Sequence, residues 1–261
     1  MKKTKNKAIK IAYAGDRDVS VWILKFLIKQ GIKPLALLVS DKKIATHDKE
    51  LISLCSFLDS SHVLRGGEFK TAAKARLFKK LKLDYIVSIH FPYIYPQEIL
   101  EIPKQGIINL HPAFLPYNRG WHTASWAIEE GTPYGATLHF MDARLDVGDI
   151  IYQEKIKILP DDTADTLYKR VKKLEFAVFK KAWPSLADVT YTRQPQFKKI
   201  RTSLHKRKDI KSIQLVDLDK KTTPRELIRR FRALTTNNIK EAAYFKSGSK
   251  RYRVQLHIVK E

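Results

Sequence analysis

Apolar residues recur with two different periods along the first part of the chain. Short continuous apolar runs predict strands at 8–15, 32–40, 62–66, 83–90 and 106–111. Apolar residues at helical spacing predict helices at 19–31, 49–59 and 68–82. This alternation predicts an α/β fold, Rossmann-like, with a mostly parallel sheet and helices on both faces.

The pattern changes in the later part of the chain. It predicts a helix at 123–131, two strands around a turn in 134–158, and a long helix at 163–186. After about residue 187 it weakens: 191–209 is polar and predicted to be irregular, and a helix at 223–234 and a β-hairpin in 241–260 follow. We therefore expect a main domain over 1–187 and a small basic C-terminal subdomain over 188–261.

The charge is strongly basic, with a formal net charge of +23. Residues 190–261 hold 20 Lys and Arg against 6 Asp and Glu. Such an excess indicates an anionic partner, which is a nucleic acid, a membrane surface or a phosphorylated small molecule. Lysines scattered singly over predicted helices are equally typical of a solvated surface, so the charge leaves both interpretations open.

Three features of the sequence bear on the cellular compartment of the protein. No run of about 18 apolar residues predicts a membrane span. The basic N-terminus is followed by an apolar run too short for a secretory signal. Cys55 is the single cysteine, which excludes an internal disulfide and fits a reducing compartment. We expect a cytoplasmic protein that does not enter a membrane.

Two polar side chains stand at the end of a strand in "GIINLHPAFLPYNRG" (106–120). Residues two apart in a strand point to the same side, so Asn109 and His111 share a face, and Pro112 then ends the strand. Ligands of open α/β sheets bind beyond the carboxyl ends of strands. The spacing fits a catalytic pair and equally a structural pair that ties down the loop.

A catalytic histidine commonly needs a carboxylate that fixes its tautomer and stabilises its cation. The segment "MDARLDVGDI" (141–150) offers Asp142, Asp146 and Asp149. Aspartate near glycine is also a common turn residue. Spacing alone does not choose among the three.

The motifs resemble those of the N10-formyltetrahydrofolate-dependent formyltransferases. "NLHPAFLPYNRG" matches the family's Asn-x-His-Pro followed by a loop with Leu-Pro and Arg-Gly, and "LDVGD" matches its Leu-Asp-x-Gly-Asp. The resemblance covers roughly 8–160. It implies a folate-dependent N-formyltransferase that uses N10-formyltetrahydrofolate as the formyl donor and no metal.

The resemblance also implies roles for the polar residues. Neutral His111 takes the proton of the attacking amine, Asp146 stabilises the imidazolium that results, and Asn109 donates an N–H to the developing oxyanion. Asp149 is then left to order the turn.

The segment "IHFPYIYP" (89–96) corresponds to the loop that binds the pteridine in the family. Phe91, Pro92 and Tyr93 are therefore expected at the folate, with Asp142 bordering the same pocket. Phe91 and Tyr93 have two interpretations, since they either line the pocket or anchor the loop to the core.

The acceptor is the open half of the reaction. "NRGWHTASWAIEEG" and the C-terminal segment resemble the sugar N-formyltransferases, which act on nucleotide-linked amino-deoxy sugars. Methionyl-tRNA formyltransferases carry a basic insertion after the second strand and a C-terminal β-barrel, and neither pattern is present here. We expect transfer to a nucleotide diphosphate amino sugar, first dTDP-4-amino-4,6-dideoxyglucose, for a surface polysaccharide such as an O-antigen. Aminoacyl-tRNA is the alternative acceptor, and nucleic acid is the disfavoured partner.

Four residues are candidates for holding the acceptor. Arg17 follows the first strand, where the start of a helix favours anions. Arg119, Trp121 and His122 lie in the motif loop, where they either contact the sugar nucleotide or shape the loop. The predicted hairpin presents a strand edge that can pair across a homodimer.

Overall fold

The computed structural model describes residues 9–196 and 203–261. The basic N-terminal tail and part of the irregular segment predicted for 191–209 lie outside the described residues. The remaining predictions of helices and strands fall on described parts of the chain.

The strands occur where the apolar runs predicted them, with two short additions. They are β1 Ile11–Gly15, β2 Ala36–Val39, β3 Val63–Arg65, β4 Tyr85–Ile89, β5 Gly106–His111, β6 Arg119–Gly120, β7 Tyr134–Phe140, β8 Ile150–Ile156, β9 Leu204–His205, β10 Ala243–Ser247 and β11 Lys250–Val254. The two-residue strands β6 and β9 carry no periodic signal, and they pair in parallel with each other.

The helices also follow the predicted order, with one short helix, Gln97–Leu100, that the sequence did not predict. They are α1 Arg17–Lys29, α2 Asp48–Leu54, α3 Ala72–Leu81, α4 Gln97–Leu100, α5 Thr123–Glu130, α6 Ala164–Ala187 and α7 Pro224–Leu234. The start of α7 shows the local chemistry that sets such boundaries. Thr223 and Glu226 form a capping box that satisfies N–H groups of the first turn.

A seven-stranded sheet has the strand order β3-β2-β1-β4-β5-β7-β8. Strands β1 to β5 pair in parallel. Their carboxyl ends therefore meet at one edge of the sheet, where His111 ends β5. The predicted fold class, with its C-terminal helix and hairpin, is confirmed.

The described chain forms two compact units. The first unit contains 9–111, 138–152 and 175–195, and the second contains 112–137, 153–174 and 196–261 without the undescribed residues. Each unit draws on several stretches, and the division into 1–187 and 188–261 stays a prediction. No helix in the described part of the chain is long and apolar enough to cross a membrane.

Each unit has an apolar core of its own. In the first unit, β1, β2 and β4 are buried along their whole length, as expected for central strands covered on both faces. In the second unit, Trp126 of α5, Leu234 of α7 and Ala243 of β10 pack together with Ile210. The C-terminal helix and hairpin thus share a core with the helix after the motif loop.

Candidate active site

The sheet places Asn109 and His111 at the carboxyl end of β5, in the first unit. His111 is 7 % exposed, so its imidazole is largely shielded from water. Since β4 lies beside β5, the loop that follows β4 ends at the same edge of the sheet. The polar pair and the predicted pteridine loop therefore lie at the same edge of the sheet.

Asp146 reaches this pair from the loop between β7 and β8. Its backbone is left-handed, with φ of 53°, and its side chain is largely buried. One carboxylate oxygen lies 3.7 Å from Nε2 of His111, and the other lies 3.7 Å from Nε2 of His139. At this distance the carboxylate acts on both imidazoles through its charge, and the contact to His111 can tighten when substrates bind.

The loop that carries Asp146 requires the glycine of the Leu-Asp-x-Gly-Asp motif. A Cβ on Gly148 would lie 1.9 Å from the carbonyl oxygen of Phe140. The loop is closed by a hydrogen bond from the N–H of Phe140 to the carbonyl of Asp149. Gly148 therefore permits the close approach that fixes the loop, and backbone contacts at Asp149 fit its expected part in ordering the turn.

His139 on β7 is a site residue that the sequence reasoning missed. Nδ1 of His139 lies 2.8 Å from the carbonyl oxygen of Phe140, so this nitrogen carries the proton and donates it. Nε2 then has a free lone pair and accepts a hydrogen bond from Nδ2 of Asn109 at 3.1 Å. The carboxamide of Asn109 is thereby oriented, and its second N–H is left for a ligand.

The charge state of His139 supports this tautomer. Burial lowers its pKa to about 4, since desolvation and the charge of His111 outweigh the opposing effect of Asp146. His139 therefore stays neutral near pH 7 and remains an acceptor for Asn109. A lone histidine in an otherwise apolar strand gave no periodic signal, and only its position before "MDARLD" hinted at the site.

The predicted pteridine loop is anchored by its aromatic side chains. Phe91 is 8 % exposed and packs with Phe69 and Tyr95 in the core of the first unit. Tyr93 packs against the same cluster, and its hydroxyl accepts a hydrogen bond from the N–H of Asp41 at 3.0 Å. Pro92 is exposed. These contacts favour the anchoring interpretation of Phe91 and Tyr93.

The backbone of the same loop is left for other partners. No backbone–backbone hydrogen bond in 9–196 or 203–261 uses the polar groups of residues 91–95. Buried or partly buried backbone groups need partners, which a ligand can supply. Asp142 follows β7, accepts a hydrogen bond from the N–H of Arg144 at 3.1 Å, and keeps 45 % of its side chain exposed.

A buried histidine–glutamate pair supports the start of this loop. Nε2 of His90 lies 2.7 Å from a carboxylate oxygen of Glu175, whose side chain is fully buried. His90 has a left-handed backbone with φ of 53°. Within the described part of the chain, Nδ1 of His90 and the second carboxylate oxygen of Glu175 have no hydrogen-bond partner.

Arg17 begins α1 at the end of β1 and is exposed, with φ of 64°. Its N–H donates to the carboxylate of Asp16, which also accepts hydrogen bonds from Thr46, His47 and Ser40. Burial alone raises the pKa of Asp16, but the hydrogen bonds from Thr46, Arg17 and His47 hold it below its usual value. The charged carboxylate thus fixes the loop beside Arg17.

The remaining candidates lie in the motif loop of the second unit. Arg119 lies in β6, where its N–H donates to the carbonyl of Ser203. Trp121 is 36 % exposed, and the guanidinium of Arg207 lies 5.3 Å from its ring centre. His122 precedes α5, and its Nε2 lies 3.2 Å from the carbonyl oxygen of Arg207. These contacts show how the loop is held in place. They do not identify the ligand that the loop binds.

Comparison with protein families matches two parts of the chain. A model described as "Formyl transferase" matches residues 19–183, and one described as "N-formyltransferase dimerization C-terminal domain" matches residues 209–260. The first match covers more than half of the chain, and Asn109, His111 and Asp146 lie within it.

Two curated relatives have the same sequence identity to this chain, but the match covers different shares of their own length. A methionyl-tRNA formyltransferase of Acetivibrio thermocellus is 27 % identical over 193 residues, which are 72 % of this chain and 62 % of that protein. A dTDP-4-amino-4,6-dideoxyglucose formyltransferase of Mycobacterium tuberculosis is 27 % identical over 175 residues, which are 67 % of this chain and 73 % of that protein. The chain thus spans less than two thirds of the methionyl-tRNA formyltransferase.

Two solved structures match over most of the chain. A 4-N formyltransferase from Francisella tularensis has a TM-score of 0.82 at 26 % identity, covering 97 % of this chain and 99 % of that one. A Helicobacter canadensis N-formyltransferase in complex with folinic acid and dTDP-3-aminofucose has a TM-score of 0.70 at 25 % identity, covering 92 % and 84 %. Together with the family match, these similarities show that the chain belongs to the formyl transferase family.

Proposed function

We propose that this protein transfers the formyl group of N10-formyltetrahydrofolate to the amine of a nucleotide-linked amino-deoxy sugar. The observation that carries the chemistry is the arrangement of Asn109, His111, His139 and Asp146 around the end of β5. It combines a donor for an oxyanion, a base for an amine and a carboxylate for the charged base.

The residues bordering this strand end fit a folate. The loop over 91–95 offers backbone donors and acceptors to a pteridine, and Nδ1 of His90 is a buried nitrogen without a partner among the described residues. Bound there, the folate supplies an activated formyl group. We propose that Phe91 and Tyr93 act through the loop that they anchor to the core, while Pro92 and Asp142 remain our candidates for contacting the folate.

The roles of the polar side chains follow from their protonation states. An amine attacks only when neutral, so a base must remove its proton, and His111 is the imidazole beside the carboxylate of Asp146. Asp146 then stabilises the imidazolium. Asn109, oriented by neutral His139, donates its second N–H to the negative oxygen.

The sugar acceptor is supported by the extent of the structural match. The 4-N formyltransferase from Francisella tularensis matches nearly end to end, including the C-terminal region that the dimerization-domain model also matches. We therefore favour a 4-amino sugar, first dTDP-4-amino-4,6-dideoxyglucose, and a homodimer. Arg17, Arg119, Trp121 and His122 are proposed to hold the acceptor. An O-antigen or another surface polysaccharide is the proposed destination of the product.

A second acceptor follows from the methionyl-tRNA formyltransferase relative and the basic charge. The test offers N10-formyltetrahydrofolate with dTDP-4-amino-4,6-dideoxyglucose, a dTDP-linked 3-amino isomer or methionyl-tRNA, and identifies formylated product by mass spectrometry. We expect product with a dTDP-amino sugar and none with methionyl-tRNA. Formylation of methionyl-tRNA alone would replace this proposal with the tRNA function.

A further inference from the structure

Residues 203–207, called the strap here, run beside the motif loop in the second unit. Strand β9 of the strap pairs in parallel with β6 of the loop. The N–H of Arg119 donates to the carbonyl of Ser203 at 3.0 Å, and the N–H of Trp121 donates to the carbonyl of His205 at 2.9 Å. The strap thus holds the backbone of residues that are proposed to bind the acceptor.

The backbone of the motif loop requires such support. Asn118, Gly120 and His122 have left-handed backbones, with φ of 52°, 91° and 56°. For Asn118 and His122 this conformation costs free energy, and it persists only where surrounding contacts hold it. The strap supplies two of these contacts. The N–H of Asn118 donates to the hydroxyl of Ser203 at 3.2 Å, and Nε2 of His122 lies 3.2 Å from the carbonyl oxygen of Arg207.

The strap approaches the loop too closely for a side chain at Gly120. A Cβ on Gly120 would lie 2.3 Å from the carbonyl oxygen of His205. Because the two backbones are in contact here, a shift of the strap is passed on to the loop. The position of the strap therefore determines the position of the loop.

His205 anchors the strap to the core of the second unit. Its imidazole stacks on the indole of Trp126, with the ring centres 3.8 Å apart and the ring planes within 6°. Trp126 is buried and packs with Leu234 and Ala243 in that core. At the edge of the imidazole, Nε2 lies 2.9 Å from a carboxylate oxygen of Glu130, the last residue of α5. A flat ring thus connects the strap to the core.

The imidazole of His205 is uncharged at neutral pH. Burial lowers its pKa from the ordinary value, and this effect outweighs the opposing charges of Glu130 and Asp209. The neutral ring packs on Trp126 through its face, and such aromatic contacts stabilise without a net charge. We therefore expect that another flat, uncharged ring can replace the imidazole in the stack.

We propose that His205 is a positioning residue for the acceptor, because its stack on Trp126 holds the strap against the motif loop. The strap in turn sets the geometry of Arg119, Trp121 and His122. The inference rests on the proposed function, in which these three residues hold the nucleotide-linked sugar. The polar residues around the end of β5 belong to the first unit. Loss of the stack should therefore weaken acceptor binding and leave the chemical step unchanged.

The experiment measures formyl-transfer kinetics with N10-formyltetrahydrofolate and dTDP-4-amino-4,6-dideoxyglucose, each varied in turn. Isothermal titration calorimetry with dTDP alone gives a second measure of acceptor binding that does not depend on turnover. Free energies of unfolding show which of the variants are folded.

Three substitutions of His205 separate the stack from the volume of the side chain. His205→Ala removes the ring. His205→Leu also removes it but keeps apolar volume, so it remains informative if the alanine variant does not fold. His205→Phe keeps a flat ring on Trp126. His257→Ala is the matched control, because it makes the same change at an exposed histidine of the second unit.

For His205→Ala and His205→Leu, we expect the KM for the amino sugar and the dissociation constant of dTDP to rise about tenfold, since a stacked pair no longer holds the loop. The values of kcat and of the KM for the folate should stay unchanged, because the lost contact acts on acceptor binding alone. His205→Phe and His257→Ala should resemble the wild type in all four quantities.

Wild-type affinity of His205→Leu for the amino sugar and for dTDP would overturn the proposal. So would a His205→Phe protein as impaired as the leucine variant, or equal rises in the KM values for the sugar and the folate. A wild-type protein that neither formylates the sugar nor binds dTDP would contradict the proposed acceptor itself, and the role of His205 with it.

Discussion

The side chains of His139 and Asn109 are joined by a hydrogen bond in the first unit of the protein. Nε2 of His139 accepts a hydrogen bond from Nδ2 of Asn109 at 3.1 Å, while Nδ1 of His139 donates to the carbonyl of Phe140 at 2.8 Å. The backbone of β7 thus fixes the imidazole, and the imidazole fixes the carboxamide. The direction of the second N–H of Asn109 is set before any substrate binds.

The first prediction concerns the acceptor that orients Asn109. His139→Leu removes it, and we expect kcat to fall about 10²-fold with little change in KM, because a misdirected oxyanion donor acts mainly in the transition state. His139→Gln can place an oxygen near the position of Nε2 and should retain most of kcat. Formyl-transfer kinetics of both variants check this. A His139→Leu protein with wild-type kcat would contradict the positioning role.

The second prediction concerns stability at acidic pH. The pKa of His139 is about 4 in the folded protein against 6.5 in a model compound, so below about pH 6.5 the unfolded chain binds a proton that the folded chain does not. Stability is then lost as pH falls from 6.5 towards 4, by up to about 3 kcal/mol from this group. Urea unfolding of wild type and His139→Gln should show a smaller loss for the variant, and equal losses would refute the assignment.

The third prediction concerns the close approach at Gly148. Gly148→Ala places a Cβ against the carbonyl oxygen of Phe140, so the loop must shift and carry Asp146 away from His111. We expect a loss of most turnover and of about 2 kcal/mol of stability. Gly67→Ala is the control, since a Cβ there meets nothing within 4 Å and φ is −85°. The two variants behaving alike in kinetics and in unfolding would argue against this account.

The fourth prediction concerns the buried pair beneath the pteridine loop. Glu175→Leu leaves His90 buried without its acceptor, and we expect a loss of about 3 kcal/mol in the free energy of unfolding. His90→Asn suits the left-handed backbone, and the double variant should be less destabilised than the sum of the two single changes. A double-mutant cycle by chemical denaturation measures this coupling. Strictly additive losses would show that the two side chains do not stabilise each other.

The sequence predicted the sheet because its strands are buried runs or alternating patterns that carry a clear period. Asn109 and His111 were placed on one face by the same period, and Asp146 was selected from three aspartates through resemblance rather than geometry. The small strands β6 and β9 were not predicted, since two residues are too few to show a period. Their pairing joins positions 119 and 204, and such a long-range contact has no local signal.

His139, the site residue that the sequence did not predict, was missed for a similar physical reason. A single histidine in an apolar strand looks like a core residue, and its role depends on a neighbour 30 positions away in the chain. In the folded protein, the negative charge of the Asp16 carboxylate is likewise stabilised by hydrogen bonds that Thr46 and His47 donate. Such contacts are set by tertiary structure, so periodicity does not reveal them.

The central claim is that His111 acts as the base for amine attack at the end of β5. The most direct measurement is the turnover of His111→Ala with N10-formyltetrahydrofolate and the amino-sugar acceptor, followed from neutral to alkaline pH. We predict a loss of about 10²–10⁴-fold at neutral pH, partly recovered as rising pH deprotonates the amine in solution. Near-normal turnover of His111→Ala at neutral pH would contradict the account.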